Sequence, residues 1–159
     1  MIVDATACLI WLLRADGTEA AVQNGNRLVL RLDAFRDLVG LRVWTPEIPD
    51  LKNYTNRQAA VWFAEISGTG PDEHGAQTLR SFEITSLGGR DSGSATGHLR
   101  PRLAEAVARS VASVLSVATN IITPSGIIVD CQPSSTFEYI RDDDTGWPAW
   151  KQIWNINFG

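Results

Sequence analysis

The sequence predicts an α+β domain in which two main helices pack on one face of a largely antiparallel sheet. Three observations support this prediction. The chain has 159 residues, the size of one domain. Apolar residues recur at helical spacing near the start and again after Pro101, and several segments between and after them alternate as strands do. Because no internal repeat divides the chain, we expect a single domain over residues 1–159.

The first helix is predicted over residues 3–14, with Asp4 near its positively polarised end. Its main stripe, at helical spacing, is Ala5, Cys8, Leu9, Leu12 and Leu13. A second apolar set occupies the face where polar residues are normal: Val3, Ala7, Ile10 and Trp11. A helix that is apolar nearly all round is buried on more than one side. The second side is therefore covered either by another subunit or by a loop of the same chain.

The segment that follows is predicted to contain a turn, a strand and a short helix. The turn lies at Asn24-Gly25, and the alternation in RLVLRL predicts a half-buried strand over 27–32. Asp33 can cap a short helix through Val39, which Gly40 would end. The residues LRVW then begin another extended segment at 41–44.

A hairpin is predicted in the middle of the chain. The apolar run at 59–67 predicts a central strand, and the more mixed run at 78–87 predicts its partner. We expect a loop at 68–76 between them and a long Gly/Ser-rich loop at 88–98 after them.

A second helix is predicted from Pro101, followed by three strands. Its apolar stripe faces away from its polar residues and consists of Leu103, Val107, Val111, Val114 and Ala118. The strands are expected at 126–132, 136–142 and 150–158. Strict alternation places five residues of the last strand on one face: Trp150, Gln152, Trp154, Ile156 and Phe158.

Composition and charge exclude several classes of protein. With 14 basic and 18 acidic side chains the net charge is −4, the wrong sign for tight non-specific nucleic-acid binding. The two cysteines, Cys8 and Cys131, are far apart in sequence and make neither a disulfide framework nor a four-ligand zinc site, so we expect buried free thiols. The N-terminal apolar run lacks a preceding basic residue and is too short to span a bilayer. We therefore expect a protein that stays in a cytoplasm, without a membrane.

The sequence shows no clear catalytic, cofactor or metal site, and we expect no enzyme. The loop GTGPDEHG lacks the Gly-Lys-Ser/Thr of a phosphate cradle, and Gly-x-Ser-x-Gly is absent around Ser92. His74 and His98 could meet loop carboxylates around a metal, but they lack the usual helical spacing of ligands. The run Asp142–Asp144 lacks the Glu of a calcium loop and is expected to form a solvated turn.

The last strand holds an unusual concentration of tryptophan, since three of the six tryptophans lie between residues 147 and 154. We expect Trp154, together with Ile156 and Phe158, to lie in the core. Trp147 and Trp150 flank Pro148 at the start of the strand, where a monomer offers less core. Large aromatic side chains in such a place are typical of interface anchors.

The order of these elements resembles the tail terminator (tail completion) proteins of long-tailed bacteriophages. The resemblance covers most of the chain but depends on pattern rather than on a signature motif. The insertion at 15–32 and the long loop at 88–99 depart from the family. The matching stretches are VDATACLIWLLRADG, LDAFRDLVGLRVWTPEIPD, AAVWFAEISGTGPDEHG, SFEITSLGG, RLAEAVARSVASVL and FEYIRDDDTGWPAWKQIWNINF.

The resemblance implies a structural virion protein without an active site. It would form a ring, expected to be hexameric, that caps the tail tube, ends its polymerisation and joins the tail to head connector proteins. DNA would pass through the ring without specific binding. The protein would lie at the head–tail junction of the virion and in the host cytoplasm during assembly. The apolar residues left for subunit or partner contacts are Val3, Ile10, Trp11, Trp147 and Trp150.

Two alternatives remain open at the level of sequence. One is another head–tail connector, neck or tail-tube protein of the same particle, because such proteins share small α+β folds. The other is a loop-based metallohydrolase that uses His74, His98 and neighbouring acids.

Overall fold

A computed structural model describes residues 4–13, 42–44, 60–71, 78–88, 100–141 and 148–159. Several predictions lie outside these residues. They concern the strand and short helix at 27–39, most of the two loops at 72–76 and 89–98, and the acidic turn at 142–147.

The described chain forms two helices and one seven-stranded sheet. The helices are α1 (Ala5–Leu13) and α2 (Pro101–Ser116). The strands are β1 (Arg42–Trp44), β2 (Ala60–Pro71), β3 (Thr78–Leu87), β4 (Ile121–Thr123), β5 (Gly126–Pro133), β6 (Glu138–Arg141) and β7 (Pro148–Phe158). Their order across the sheet is β1-β2-β3-β7-β5-β4, with β6 also paired to β7. Only β1 and β2 are parallel among these pairs, which confirms the predicted α+β class.

Helix α1 forms where the apolar spacing predicts it. The Asp4 carboxylate accepts a hydrogen bond of 3.0 Å from the backbone N–H of Ala7 and so caps the first turn. The buried residues are those of the predicted main stripe: Ala5, Cys8, Leu9, Leu12 and Leu13. This stripe therefore faces the core.

Helix α2 begins at Pro101, which suits the first helical position because its missing N–H has no partner there. The predicted stripe is buried, and Ala118 extends it just beyond the last helical residue. On the solvent side, Arg109 pairs with Glu105 one turn earlier, with an N–O distance of 2.9 Å. The helix is thus amphipathic, with its apolar face on the sheet.

The main core lies between the two helices and one face of the sheet. Its centre is a row of three aromatic rings from neighbouring strands. Phe82 contacts Phe63 and Phe158 edge to face, with ring centroids 5.9 and 6.3 Å apart. Trp154 and Ile156 are buried in the same cluster, as predicted. The last strand therefore contributes one of its two faces to the core.

Two features of the sheet differ from the prediction. Strand β2 runs to Pro71, so residues 68–71, which were expected in a loop, belong to the sheet instead. Pairing continues because β3 still offers partners, with Gly68 opposite Arg80, and two register shifts absorb the irregular backbone. Strand β4 was not predicted, since three residues are too few to show alternation.

Both cysteines are buried free thiols, as predicted. The Cys8 thiol lies 3.1 Å from the hydroxyl of Thr123, which donates its own hydrogen to the carbonyl of Gly126 at 2.8 Å. The Cys8 S–H is therefore the donor in the thiol–hydroxyl contact, and it ties α1 to the β4–β5 hairpin. Among the residues that the structure describes, no helix has the length and apolar character that a bilayer crossing demands.

Candidate interaction surface

The predicted contact residues fall on two separate parts of the described structure. Ile10 and Trp11 are half-buried on α1, and Ile10 packs against the main core. Trp150 is half-buried on β7. Val3 and Trp147 lie outside the described residues. The described contact residues therefore lie at two places, one on α1 and one on β7.

Trp150 is the centre of an aromatic cluster on the helix-covered face of the sheet. It lies opposite Tyr139 of β6 and opposite Ser86 of β3 in the two strand pairs. Its ring centroid is 5.4 Å from that of Tyr139 and 6.5 Å from that of Phe137, both in edge-to-face arrangements. We call Trp150, Phe137 and Tyr139 the aromatic cluster. Since Tyr139 is 45% exposed, the cluster reaches the surface.

A shallow recess separates the aromatic cluster from α2. Helix α2 supplies Ala108 and Val111 to its wall, and no α1 residue lines it. Ser86 of β3 also lines the recess, although it is only 1% exposed. The remaining lining residues are Ile84, Phe137, Trp150, Lys151, Gln152 and Trp154. The recess is therefore lined mainly by apolar side chains, with a few polar groups.

The connection between β5 and β6 is held over β7 beside this recess by three hydrogen bonds. The Ser134 N–H donates to the carbonyl of Ile153 at 2.8 Å, and the Ile153 N–H donates to the hydroxyl of Ser135 at 2.9 Å. The side-chain amide of Gln152 donates to the Ser135 carbonyl at 3.0 Å. Gln152 also accepts a hydrogen bond from the indole N–H of Trp154 at 3.0 Å. These bonds fix the position of Phe137, which follows the connection.

An arginine lies at the rim of the aromatic cluster. The guanidinium carbon of Arg109 is 5.8 Å from the ring centroid of Phe137, within cation–π range. The same guanidinium makes two hydrogen bonds to Glu105, of 2.9 and 3.0 Å. Aromatic residues and arginine are the residue types that are enriched in protein–protein interfaces. The arrangement can therefore anchor a partner.

Sequence reasoning identified Trp150 but missed Phe137, Tyr139 and Arg109. A signal was present for the first two, because Phe137 and Tyr139 are two residues apart and so share a strand face. Arg109 gives no comparable signal, since its position over Phe137 depends on how α2 packs on the sheet.

The opposite face of the sheet is partly polar and has its own pairings. The Lys151 ammonium lies between two carboxylates, 3.8 Å from Glu83 and 3.7 Å from Glu138. The Ser81 hydroxyl donates to the side-chain carbonyl of Asn155 at 2.6 Å. Each of these five polar side chains therefore has a partner on the same face of the sheet.

The described residues hold no arrangement suited to catalysis by a thiol or a metal. Burial raises the pKa of Cys8, and it raises the pKa of Cys131 to about 12, with a smaller effect of the Asp130 charge. Both thiols therefore stay protonated at neutral pH and are poor nucleophiles. No group of three potential metal ligands occurs in the described part of the chain. His74 and His98 lie outside it, as do Asp142–Asp144.

No protein-family model and no curated protein matches this chain. Among solved structures, the chain is similar to one from "Virion of native gene transfer agent (GTA) particle". The two share 16% sequence identity with a TM-score of 0.46, over 89% of this chain and 98% of the other. A likeness this distant carries no functional conclusion.

Proposed function

We propose that this protein is a structural virion protein that forms a ring on the end of a phage tail tube. The ring, hexameric in this proposal, ends tube polymerisation and provides the surface that joins the tail to the head. The observation that carries the proposal is the surface-reaching aromatic cluster of Trp150, Phe137 and Tyr139 beside an apolar recess. Such a cluster suits a protein contact, and a ring subunit needs two contact surfaces that meet head to tail.

The order of the described elements adds support. An N-terminal helix, a central strand pair, an amphipathic helix and a final hairpin follow one another as the resemblance to tail terminators implies. The agreement includes β6 and β7, which are paired strands that precede and follow the acidic segment 142–147 in the sequence. The fold is thus compatible with the proposed family, although small α+β folds serve other neck proteins as well.

The proposed mechanism is steric. A ring seated on the last tube ring occupies the site where the next tube subunit would add, and its opposite face receives the head connector proteins. The chain's net charge of −4 is compatible with a channel in which DNA moves without sticking, because like charges repel. No chemical step and no cofactor is part of this proposal.

The first test is the native mass of the purified protein by light scattering, with negative-stain imaging of the same sample. The proposal expects a ring of about six subunits, since closed rings are built by repeating one heterologous contact. The second test adds the protein to tail-tube protein from the same genome while the tube polymerises. Tubes that stop growing support the proposal, and tubes that grow unchanged count against it.

The contact residues are tested by replacing Trp150 with Ser, alone and together with Trp147→Ser. Ile66→Ser on β2 is the matched control, because it also shortens a large apolar side chain, 51% exposed, away from the aromatic cluster. We expect the tryptophan variants to lose assembly while the control keeps it. If the double variant assembles like the wild type, these two residues are not subunit contacts.

A second candidate is another head–tail connector, neck or tail-tube protein of the same particle. The aromatic cluster favours it equally, since any ring-forming neck protein needs an anchor of this kind. The tube assay separates the two: a ring that forms but never stops tube growth indicates a connector.

A further inference from the structure

Ser86 of β3 is a buried polar residue whose hydroxyl has no hydrogen-bonding partner among the residues that the structure describes. It lies directly opposite Trp150 in the β3–β7 pair and lines the recess beside the aromatic cluster. Because directly opposite residues of a strand pair share a face, the Ser86 side chain points to the helix-covered side, where the recess lies. A buried hydroxyl without a protein partner is costly, and ordered water meets such groups in native proteins.

Gln152 of β7 provides a second polar group in the wall of the same recess. Its amide nitrogen donates to the Ser135 carbonyl at 3.0 Å, and its amide oxygen accepts from the indole N–H of Trp154 at 3.0 Å. A glutamine amide has two N–H groups and two oxygen lone pairs, so these two bonds use half of its capacity. One N–H and one lone pair therefore remain for a further partner.

The spacing of Ser86 and Gln152 suits a bridged contact rather than a direct one. Ser86 lies opposite Trp150 and Ile84 lies opposite Gln152, so Ser86 and Gln152 are diagonal neighbours on one face. The Cα atoms of such neighbours are about 7–8 Å apart. The serine side chain is too short to cover this distance, and the amide of Gln152 is already held by its two other bonds. A water molecule that makes two hydrogen bonds of about 2.8 Å can join polar atoms about 5.5 Å apart.

The size of the recess selects its occupant. The cavity volume is about 10 Å³, close to the least that one water molecule needs and too small for the side chain of a partner. We propose that one ordered water molecule occupies the recess and bridges the hydroxyl of Ser86 and the side-chain amide of Gln152. Because water both donates and accepts hydrogen bonds, it can meet either the remaining N–H or the remaining lone pair of the amide.

The water completes a chain of hydrogen bonds beside the aromatic cluster. It joins Ser86 in the middle of the sheet, through Gln152, to the carbonyl of Ser135 in the connection that leads to Phe137. Strand β3 thereby helps to position the connection and the aromatic ring that follows it. The inference concerns one subunit and goes beyond the proposed ring, which neither requires the water nor is required by it.

The direct test compares crystal structures of the wild type and Ser86→Ala at a resolution that shows ordered water. We expect a water oxygen within about 3.2 Å of both the Ser86 hydroxyl and the Gln152 amide in the wild type. The Ser86→Ala variant should lack it. A dry recess, a water that contacts only one of the two groups, or a side chain of a neighbouring molecule in the recess overturns the proposal. So does a variant in which the water stays in place.

A double-mutant cycle in urea denaturation tests the bridge in solution, with Ser86→Ala, Gln152→Met and the double variant. Methionine keeps the length of glutamine but lacks its amide. We expect the unfolding equilibrium constant of the double variant to be about threefold to tenfold below the product of the single effects, because either change alone already breaks the bridge. Ser81→Ala replaces Ser86→Ala in the control cycle, since Ser81 is on the same strand but bonds Asn155 on the opposite face. Its effect should combine independently with that of Gln152→Met, and equal independence for Ser86→Ala overturns the bridge.

Discussion

Trp150 of β7 and Tyr139 of β6 face each other across a strand pair, with ring centroids 5.4 Å apart and an interplanar angle of 60°. Strand β6 therefore partly covers the tryptophan, because Tyr139, which is 45% exposed, packs against the half-buried Trp150. Edge-to-face pairs of this kind add stability beyond the area that they bury. Trp150 therefore contributes to the stability of the fold, in addition to the contact role that we propose for it.

Trp150→Ala is expected to lower the free energy of unfolding by about 1–3 kcal/mol, less than for a fully buried tryptophan because Trp150 is half-buried. The stability is lowered because the contacts of Trp150 with Phe137 and Tyr139 are removed and because the recess beside them becomes larger. Urea denaturation measures the change. Trp150→Phe keeps an aromatic ring and should cost less; equal losses for the two variants would contradict an aromatic contribution.

Gly88→Ala is expected to destabilise the fold by about 1–3 kcal/mol, because a Cβ at this position has no room. It would lie 2.1 Å from the carbonyl oxygen of Arg100 and 2.9 Å from the backbone nitrogen of Ala104. Both are backbone atoms at the start of α2 and cannot rotate away. The Arg100 side chain also donates to the Gly88 carbonyl at 3.1 Å, so the end of β3 and the start of α2 are joined directly.

Gly159→Ala is the control for this variant. A Cβ there would meet only side-chain atoms, the nearest being a Val129 methyl carbon at 3.2 Å, which can shift slightly. Thermal unfolding of the two variants should show a clearly lower Tm for Gly88→Ala alone. A Tm unchanged from that of the wild type would mean that β3 and α2 are not in close contact.

The main elements of this fold were predictable because each carries a complete local pattern. The stripe of α1, from Ala5 to Leu13, and the alternation that ends at Phe158 each extend over enough residues to show their period. Strand β4 could not be predicted, since Ile121–Thr123 is too short to show any period. The continuation of β2 to Pro71 depends on pairing with β3, which local propensity does not reveal.

The candidate site was predictable only in part, for a related reason. Trp150 was identified because it is a large aromatic residue at the start of a strand, where a monomer offers less core. Its partners depend on long-range geometry: Phe137 is placed by the hydrogen bonds of Ser134 and Ser135 to β7, and Arg109 by the packing of α2.

Thr123→Val is expected to cost about 1–3 kcal/mol, because it removes a buried hydroxyl that has three partners. The hydroxyl donates to the Gly126 carbonyl at 2.8 Å and accepts from the Ser125 N–H at 3.2 Å and from the Cys8 thiol at 3.1 Å. Valine has a similar shape but leaves the buried thiol without its acceptor. Chemical denaturation measures the loss.

The matched control is Thr119→Val, which makes the same chemical change at an exposed position just before β4. We expect it to change the free energy of unfolding by less than about 0.5 kcal/mol, as is usual for surface substitutions. Similar losses for both variants would show that the threonine side chain matters through local propensity rather than through the buried hydrogen bonds.

The stability of the fold should decrease at alkaline pH because of Cys131. Burial raises the pKa of this thiol from 9.0 to about 12 in the folded state. Above pH 9 the unfolded chain has therefore lost a proton that the folded chain still binds. The contribution of the thiol is complete below pH 9 and is lost as the pH rises toward 12, with a slope of up to about 1.4 kcal/mol per pH unit.

Lysine and tyrosine side chains titrate in the same range, so the test compares the wild type with Cys131→Ala in urea denaturation from pH 8 to pH 11. The variant lacks the thiol and should lose stability with a shallower slope above pH 9, although the cavity lowers its stability at every pH. Parallel curves for the two proteins would show that the pKa of Cys131 is not raised in the folded state. A thiol-reactive reagent gives a second readout, because Cys131 should react at pH 8 only after unfolding.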